Sequence, residues 1–204
     1  LMADTKISAL PAVTVVADAN EFAVNEAGTS KKASATQIQD FIGKNVFAKL
    51  AVDNTIASTT NELLAVNLGL TVGTWIFQYY VIWQSDTATT GMSFGVNFTG
   101  TQTAFVVEGT QFEATTAAST GAADQLHATF GLRSGGAARA PSTTAKIVGA
   151  TSVDTINANM LTIIRGVVVV TVAGNLELYQ ASELVGGIQV TKAGTSGIAW
   201  RTAT

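Results

Sequence analysis

The chain has 204 residues, of which 47% are hydrophobic and 12% are charged, and its formal net charge at pH 7 is −3. This length can bury the core of one full domain and still carry a smaller appendage. The 11 basic residues are scattered along the chain, so the sequence predicts neither a nucleic acid nor a membrane surface as a partner. No run approaches the roughly 20 apolar residues of a membrane-spanning helix, and the absence of cysteine excludes disulfides and thiol chemistry.

Residues 1–45 predict a small N-terminal unit. A strand-like stretch from Glu21 to Asn25 is followed by a turn and by the polar residues 30–33, which predicts a hairpin. Ser34 and Gln37 have capping-box spacing before apolar residues at helical spacing, which predicts a short helix. So small a unit has too little core to be stable alone. We therefore expect it to dock on a larger partner through five apolar residues, namely Phe22, Val24, Ile38, Phe41 and Ile42.

Residues 46–60 are predicted to be a linker, and residues 61–204 show strands at short intervals with turn residues between them. Around nine strands in ~140 residues is typical of a jelly roll or a related antiparallel sandwich. The predicted strands are Trp75–Trp83, Met92–Phe98, Thr103–Val107, Gln125–Leu132, Lys146–Val148, Met160–Val172, Leu176–Gln180, Gly187–Thr191 and Gly197–Arg201.

Two of these strands, Trp75–Trp83 and Met160–Val172, are apolar on both faces. One face of an antiparallel sheet in a sandwich is normally solvated. A strand that is apolar on both sides therefore predicts that its outer face is covered by another layer or by another subunit. The aromatic candidates for core or subunit packing are Trp75, Phe77, Tyr79, Tyr80, Trp83 and Trp200. Three of these are tryptophans, which would form a sugar-stacking platform only if they were exposed.

The C-terminal run LTIIRGVVVVTVAGNLELYQASELVGGIQVTKAGTSGIAWR, residues 161–201, resembles phage proteins with a C1q/TNF-like jelly roll. The run VIWQSDTATTGMSFGVNFTG, residues 81–100, fits the same pattern. The N-terminal ISALPAVTVVADANEFAVNEAGTSKKASATQIQDFIG, residues 7–43, resembles the opening segment of phage tail-fibre and head-appendage proteins. The resemblance implies an antiparallel jelly roll, a homotrimer and a place on the virion exterior.

The function expected from this resemblance is structural and non-enzymatic. The N-terminal segment would attach to the major capsid protein or to another virion structural protein, and the jelly roll would be displayed as capsid decoration or as a head fibre. The alternative is a component of the tail fibre or tail tip, where a host-surface glycan could be the receptor. No signal peptide is recognised, so synthesis in the cytoplasm of the host bacterium is expected.

Three groups of residues are candidates for chemistry. Gly91 to Gly95 matches the nucleophile-elbow pattern around Ser93, with Asp124 and His127 downstream in hydrolase order, but an alternating strand follows where an elbow needs a helix. Glu108 and Glu113 are predicted to flank a turn, as a glycosidase carboxylate pair could, although solvated hairpin ends are the favoured interpretation. His127 is the sole histidine, so only convergence of three copies on a three-fold axis could make it a metal ligand. No catalytic residue, cofactor or metal is therefore expected.

Overall fold

The computed structural model describes residues 21–26, 29–34, 38, 45–113, 125–134, 147–149, 153 and 155–203. The chain divides into two compact units, Leu1–Lys44 and Asn45–Thr204. Every strand pair in the described chain is antiparallel, and the one residue in helical conformation there is Ile38. The predicted all-β, antiparallel class is therefore confirmed.

The N-terminal unit contains a two-stranded hairpin of β1 (Glu21–Glu26) and β2 (Thr29–Ser34). The Lys32 ammonium lies 2.6 Å from the Glu21 carboxylate, an exposed ion pair that contributes little to stability. The predicted hairpin is thus confirmed. Of the predicted helix, Ile38 is helical and half-buried, while Phe41 and Ile42 lie outside the described residues.

The C-terminal unit contains the remaining strands. Each of the nine strands predicted for residues 61–204 overlaps a strand of the structure. The structure also contains four strands that the sequence did not predict, β3 to β6. In chain order the strands of this unit are β3 (Asn45–Lys49), β4 (Asn54–Ile56), β5 (Glu62–Leu63), β6 (Leu68–Leu70), β7 (Gly73–Ser85), β8 (Met92–Phe98), β9 (Thr101–Glu113), β10 (Gln125–Ser134), β11 (Val148–Gly149), β12 (Met160–Val172), β13 (Gly174–Ser182), β14 (Gln189–Thr191) and β15 (Ser196–Ala203).

These strands form two sheets. Sheet I runs in the order β10, β9, β12, β7, after which β15 and β14 share the second edge of β7; β3 then pairs with β15, and β4 with β14. Sheet II runs in the order β11, β8, β13, with β5 and β6 along the second edge of β13. The pairing is nested along the chain, because β3 pairs with β15, β5 and β6 with β13, β7 with β12, and β8 with β11.

Strands β3 and β4 correct the prediction of a linker over residues 46–60. Lys49 pairs with Ser196 and Ile56 pairs with Gln189, so this segment belongs to sheet I. The division between the two units falls between Lys44 and Asn45. The sequence of this segment resembles a linker because its strands are short and mixed in polarity, and because the strands that stabilise them lie more than a hundred residues away.

The core lies between the inner faces of the two sheets, and β7 shows how it is built. Its alternate residues Trp75, Phe77, Tyr79, Val81 and Trp83 are all fully buried. Contacts cross from sheet I to sheet II, since the Trp83 ring lies edge-on to Phe94 of β8 with 6.3 Å between centroids, and the Tyr79 hydroxyl donates to a carbonyl oxygen of β13 at 2.8 Å. Desolvation raises the pKa of Tyr79 far above its ordinary value, so its phenol stays a neutral donor.

Asp53, between β3 and β4, joins two loops of sheet I. Its Oδ1 accepts the Ala193 N–H at 2.7 Å and its Oδ2 contacts the Lys192 ammonium. The backbone hydrogen bond and then the ammonium lower the pKa of this carboxyl. A carboxyl whose folded pKa is depressed stabilises the fold above its unfolded pKa of about 3.9, and that contribution is lost as pH falls through the lower folded value.

We therefore expect Asp53→Asn to lower the free energy of unfolding at pH 7, with a difference from wild type that shrinks below about pH 4. Denaturant unfolding of both proteins at pH 7 and pH 3 measures this. An equal difference at both pH values would show that the Asp53 charge contributes nothing.

Candidate functional site

The outer face of sheet I, which points away from the core, is unusually apolar for a surface. Seven large apolar side chains on β3, β7, β9, β12 and β15 are exposed there, although a solvated sheet face would carry polar residues. With their exposed fractions they are Phe47 (65%), Ile76 (43%), Tyr80 (42%), Val106 (40%), Leu161 (36%), Val167 (37%) and Trp200 (37%).

Four of these residues form a continuous row across neighbouring strands. Trp200 pairs with Ile76, Ile76 with Val167, and Val167 with Val106. Neighbouring strands lie about 4.8 Å apart, so the row is about 14 Å long. Opposed apolar side chains on adjacent strands pack laterally against each other, and here they leave their outer sides in water. We call this row the apolar strip.

A polar row runs beside the apolar strip. Gln78 of β7 pairs with Arg165 of β12, which in turn pairs with Glu108 of β9. The guanidinium Nε of Arg165 donates to Oε1 of Glu108. This ion pair is partly exposed, so in the isolated chain it contributes at most about 1 kcal/mol. The polar row is the second feature of the outer face of sheet I.

The outer face of sheet II is more polar over its described residues. The Glu177 carboxylate accepts the Tyr179 hydroxyl at 2.8 Å and the Asn97 amide at 3.3 Å. Desolvation, followed by hydrogen bonding to Glu177, raises the pKa of Tyr179. These three side chains are half-buried, and among the described side chains of β5, β6, β8 and β13 the one large exposed apolar residue is Leu63 (41%). The two outer faces of the sandwich therefore differ, and the face suited to burial is that of sheet I.

The aromatic candidates divide between core and surface. Trp75, Phe77, Tyr79 and Trp83 are in the core, whereas Tyr80 and Trp200 lie on the outer face of sheet I. The other residues of that face were not singled out from the sequence. Alternation within the predicted strands could have identified Ile76, Val106 and Val167, but Phe47 lay in the supposed linker.

The residues predicted for attachment are placed only in part. Phe22 pairs with Ala33 and Val24 with Lys31 in the hairpin, and the Phe22 side chain is 38% exposed. Ile38 is half-buried. The remaining two residues of the set, Phe41 and Ile42, are outside the described ranges. Whether the five side chains form one surface therefore stays a prediction.

The structure does not place Ser93 in a nucleophile elbow. Ser93 is the second residue of β8, is buried, and donates to the Ala181 carbonyl oxygen at 3.1 Å. A nucleophile elbow instead needs an exposed serine between a strand and a helix. His127 is in β10 of sheet I, where it pairs with Gln111, whereas Ser93 is in sheet II.

The turn predicted between Glu108 and Glu113 is wrong. Both residues lie on the continuous strand β9, and Gly109 pairs with Ile164 on one side and Thr129 on the other. Five residues of strand separate the two glutamates by about 17 Å, beyond the roughly 5–9.5 Å of glycosidase carboxylate pairs. Glu108 instead contacts Arg165.

Among the described residues, no group of three or more His, Cys, Asp and Glu side chains is placed to hold a metal ion. Within the same ranges no helix is long and apolar enough to cross a membrane. Comparisons of the chain with protein-family models, curated proteins and solved structures gave no match.

Proposed function

We propose that this chain is a structural protein of a bacteriophage virion, which displays a homotrimeric jelly roll and is attached through its N-terminal unit. The observation that carries the proposal is the exposed apolar outer face of sheet I. Capsid decoration or a head fibre is the role that we assign to it. The resemblance of residues 7–43 and 161–201 to phage appendage proteins supplies the biological setting.

The nested strand pairing supports the jelly-roll assignment. A jelly roll is an antiparallel pair of chain segments rolled into two sheets, so its first and last strands pair, as do successively more interior ones. Here β3 pairs with β15, β5 and β6 with β13, β7 with β12, and β8 with β11. The hairpin of β9 and β10 adds two strands to sheet I beyond β12. It is an insertion between β8 and β11 in this scheme.

The difference between the two outer faces supports assembly through sheet I. Contiguous apolar surface on a soluble protein marks an interaction site, and the apolar strip of Trp200, Ile76, Val167 and Val106 is such a surface. Homo-oligomers with cyclic symmetry are the common way to bury one. The trimer that the resemblance implies is one such assembly.

Two measurements test the proposal with the full-length protein. Its mass in solution is expected to be near three times the 21.0 kDa of the chain, and a stable monomer would contradict the assembly. Electron microscopy of purified virions bearing a labelled copy is expected to place it on the head exterior. A label on the tail would show that the protein is a tail component and not a head component. The absence of label from virions would refute the virion role.

Attachment through the N-terminal unit is tested by comparing the full-length protein with residues 45–204. The shorter protein keeps all strands of sheets I and II, so we expect it to form the trimer but not to bind virions. Full-length Phe41→Asp should behave similarly, because burial of an unpaired carboxylate costs several kcal/mol. Decoration of virions by residues 45–204 at the wild-type level would place attachment in the jelly roll instead.

A further inference from the structure

The polar row of Gln78, Arg165 and Glu108 lies between apolar neighbours on the outer face of sheet I. Two positions along each strand in one direction are Ile76, Val167 and Val106, all exposed apolar side chains. Two positions along in the other direction are Tyr80, Ile163 and Thr110. A charged pair therefore lies within the surface that the proposed trimer would bury.

Within the part of the chain that the structure describes, the Arg165 side chain makes one contact, through its Nε. Its contact with Glu108 involves Nε, whereas a guanidinium carries five N–H donors in a fixed planar fork. Its side chain is 61% exposed, against 36% for Glu108. The terminal nitrogens are thus accessible to an acceptor on a covering surface, and Glu108 holds the guanidinium in place.

Burial makes these donors important. An exposed ion pair contributes little, but a buried one must have its remaining hydrogen bonds satisfied, because an unpaired buried charge is strongly destabilising. An apolar strip attracts without direction, so it permits neighbouring copies to slide along each other. A buried polar group restricts them to the register in which it finds an acceptor.

We propose that Arg165 fixes the register between neighbouring copies of this chain, by donating from its terminal nitrogens to a carbonyl or carboxylate oxygen of the next copy while Glu108 orients it. This inference rests on the proposed function. A second copy is the occupant that the charges favour, because the Glu108–Arg165 pair has no net charge and the outer faces of three copies can converge on a common axis without repulsion. Gln78 supplies a further donor and acceptor in the same row.

The test uses full-length variants in sedimentation velocity over a dilution series, with circular dichroism to show that each is folded. Arg165→Lys keeps the charge and can still pair with Glu108, but it lacks the planar fork. We expect the concentration of half-dissociation to rise on the order of tenfold, the equivalent of one charge-assisted hydrogen bond. Glu177→Gln on the outer face of sheet II is the matched control for Glu108→Gln, and only Glu108→Gln should weaken the trimer.

The double variant Glu108→Leu with Arg165→Leu separates register from affinity. It should remain associated, because the face becomes more apolar, but it should sediment as a mixture of species rather than as one trimer. A wild-type trimer that neither Arg165→Lys nor the double variant alters would overturn the role of Arg165 and leave the proposed function intact. A monomeric wild type would overturn both.

Discussion

Trp83→Ala is expected to lower the free energy of unfolding by about 3–5 kcal/mol, as found for large aromatic side chains removed from protein cores. Trp83 is fully buried, packs edge-on against Phe94 of the opposite sheet, and donates from Nε1 to the Thr162 hydroxyl at 3.0 Å. Its removal leaves a cavity between the sheets and takes away a hydrogen-bond partner of a buried hydroxyl. Denaturant unfolding at fixed protein concentration measures the loss.

Trp200→Ala is the matched control, because it removes the same side chain from the outer face of sheet I. Trp200 is 37% exposed, so we expect a loss of about 1 kcal/mol for the fold of the single chain, together with weaker association. Equal losses of fold stability for the two variants would contradict the placement of Trp83 in the core and Trp200 at the surface.

Val167→Asp is expected to convert the proposed trimer into monomers. Val167 lies in the apolar strip between Ile76 and Val106. In the monomer an aspartate there faces water, and the cost to the strand is limited to about 1 kcal/mol. In the trimer the same carboxylate is buried without a partner in every copy, at several kcal/mol each. The measured mass should fall from near three times 21.0 kDa to that of the single chain.

Val185→Asp makes the same substitution in the loop after β13, where the side chain is 80% exposed. It should leave the trimer unchanged. Dissociation by both variants would indicate an effect of charge alone, and a trimeric Val167→Asp would show that the outer face of sheet I is not the interface.

The long strands could be predicted from the sequence because their pattern is local. The alternation from Trp75 to Trp83 specifies both the strand and its buried face, and the structure buries each residue of that face. Met160–Val172 and Met92–Phe98 are predicted to the residue. In each case a run of apolar or β-branched residues fits a pleated, buried surface.

The short strands and the cross-strand contacts of the outer face could not be predicted in the same way. The Asn54–Ile56 strand has no pattern of its own and exists because it pairs with β14. The sequence predicts a turn at Gly109, yet this residue pairs with a neighbouring strand on each side. Likewise, the pairing of Arg165 with Glu108 depends on the register of β12 with β9, and register is set by the sheet as a whole. Contacts between residues so far apart in the sequence leave no pattern in any short stretch of it.

The nested pairing also determines when the chain can fold. Strand β15, more than a hundred residues after β7, lies between β7 and β3 and pairs with both, so sheet I stays split until residues 196–203 have left the ribosome. Long-range contacts of this kind slow folding, since loop closure must precede any gain from pairing. Until then the edge of β7 is unpaired beside exposed aromatic residues, which favours association with other nascent chains. Termination of translation before β15 should therefore lead to aggregation during synthesis rather than to a folded protein that lacks one strand.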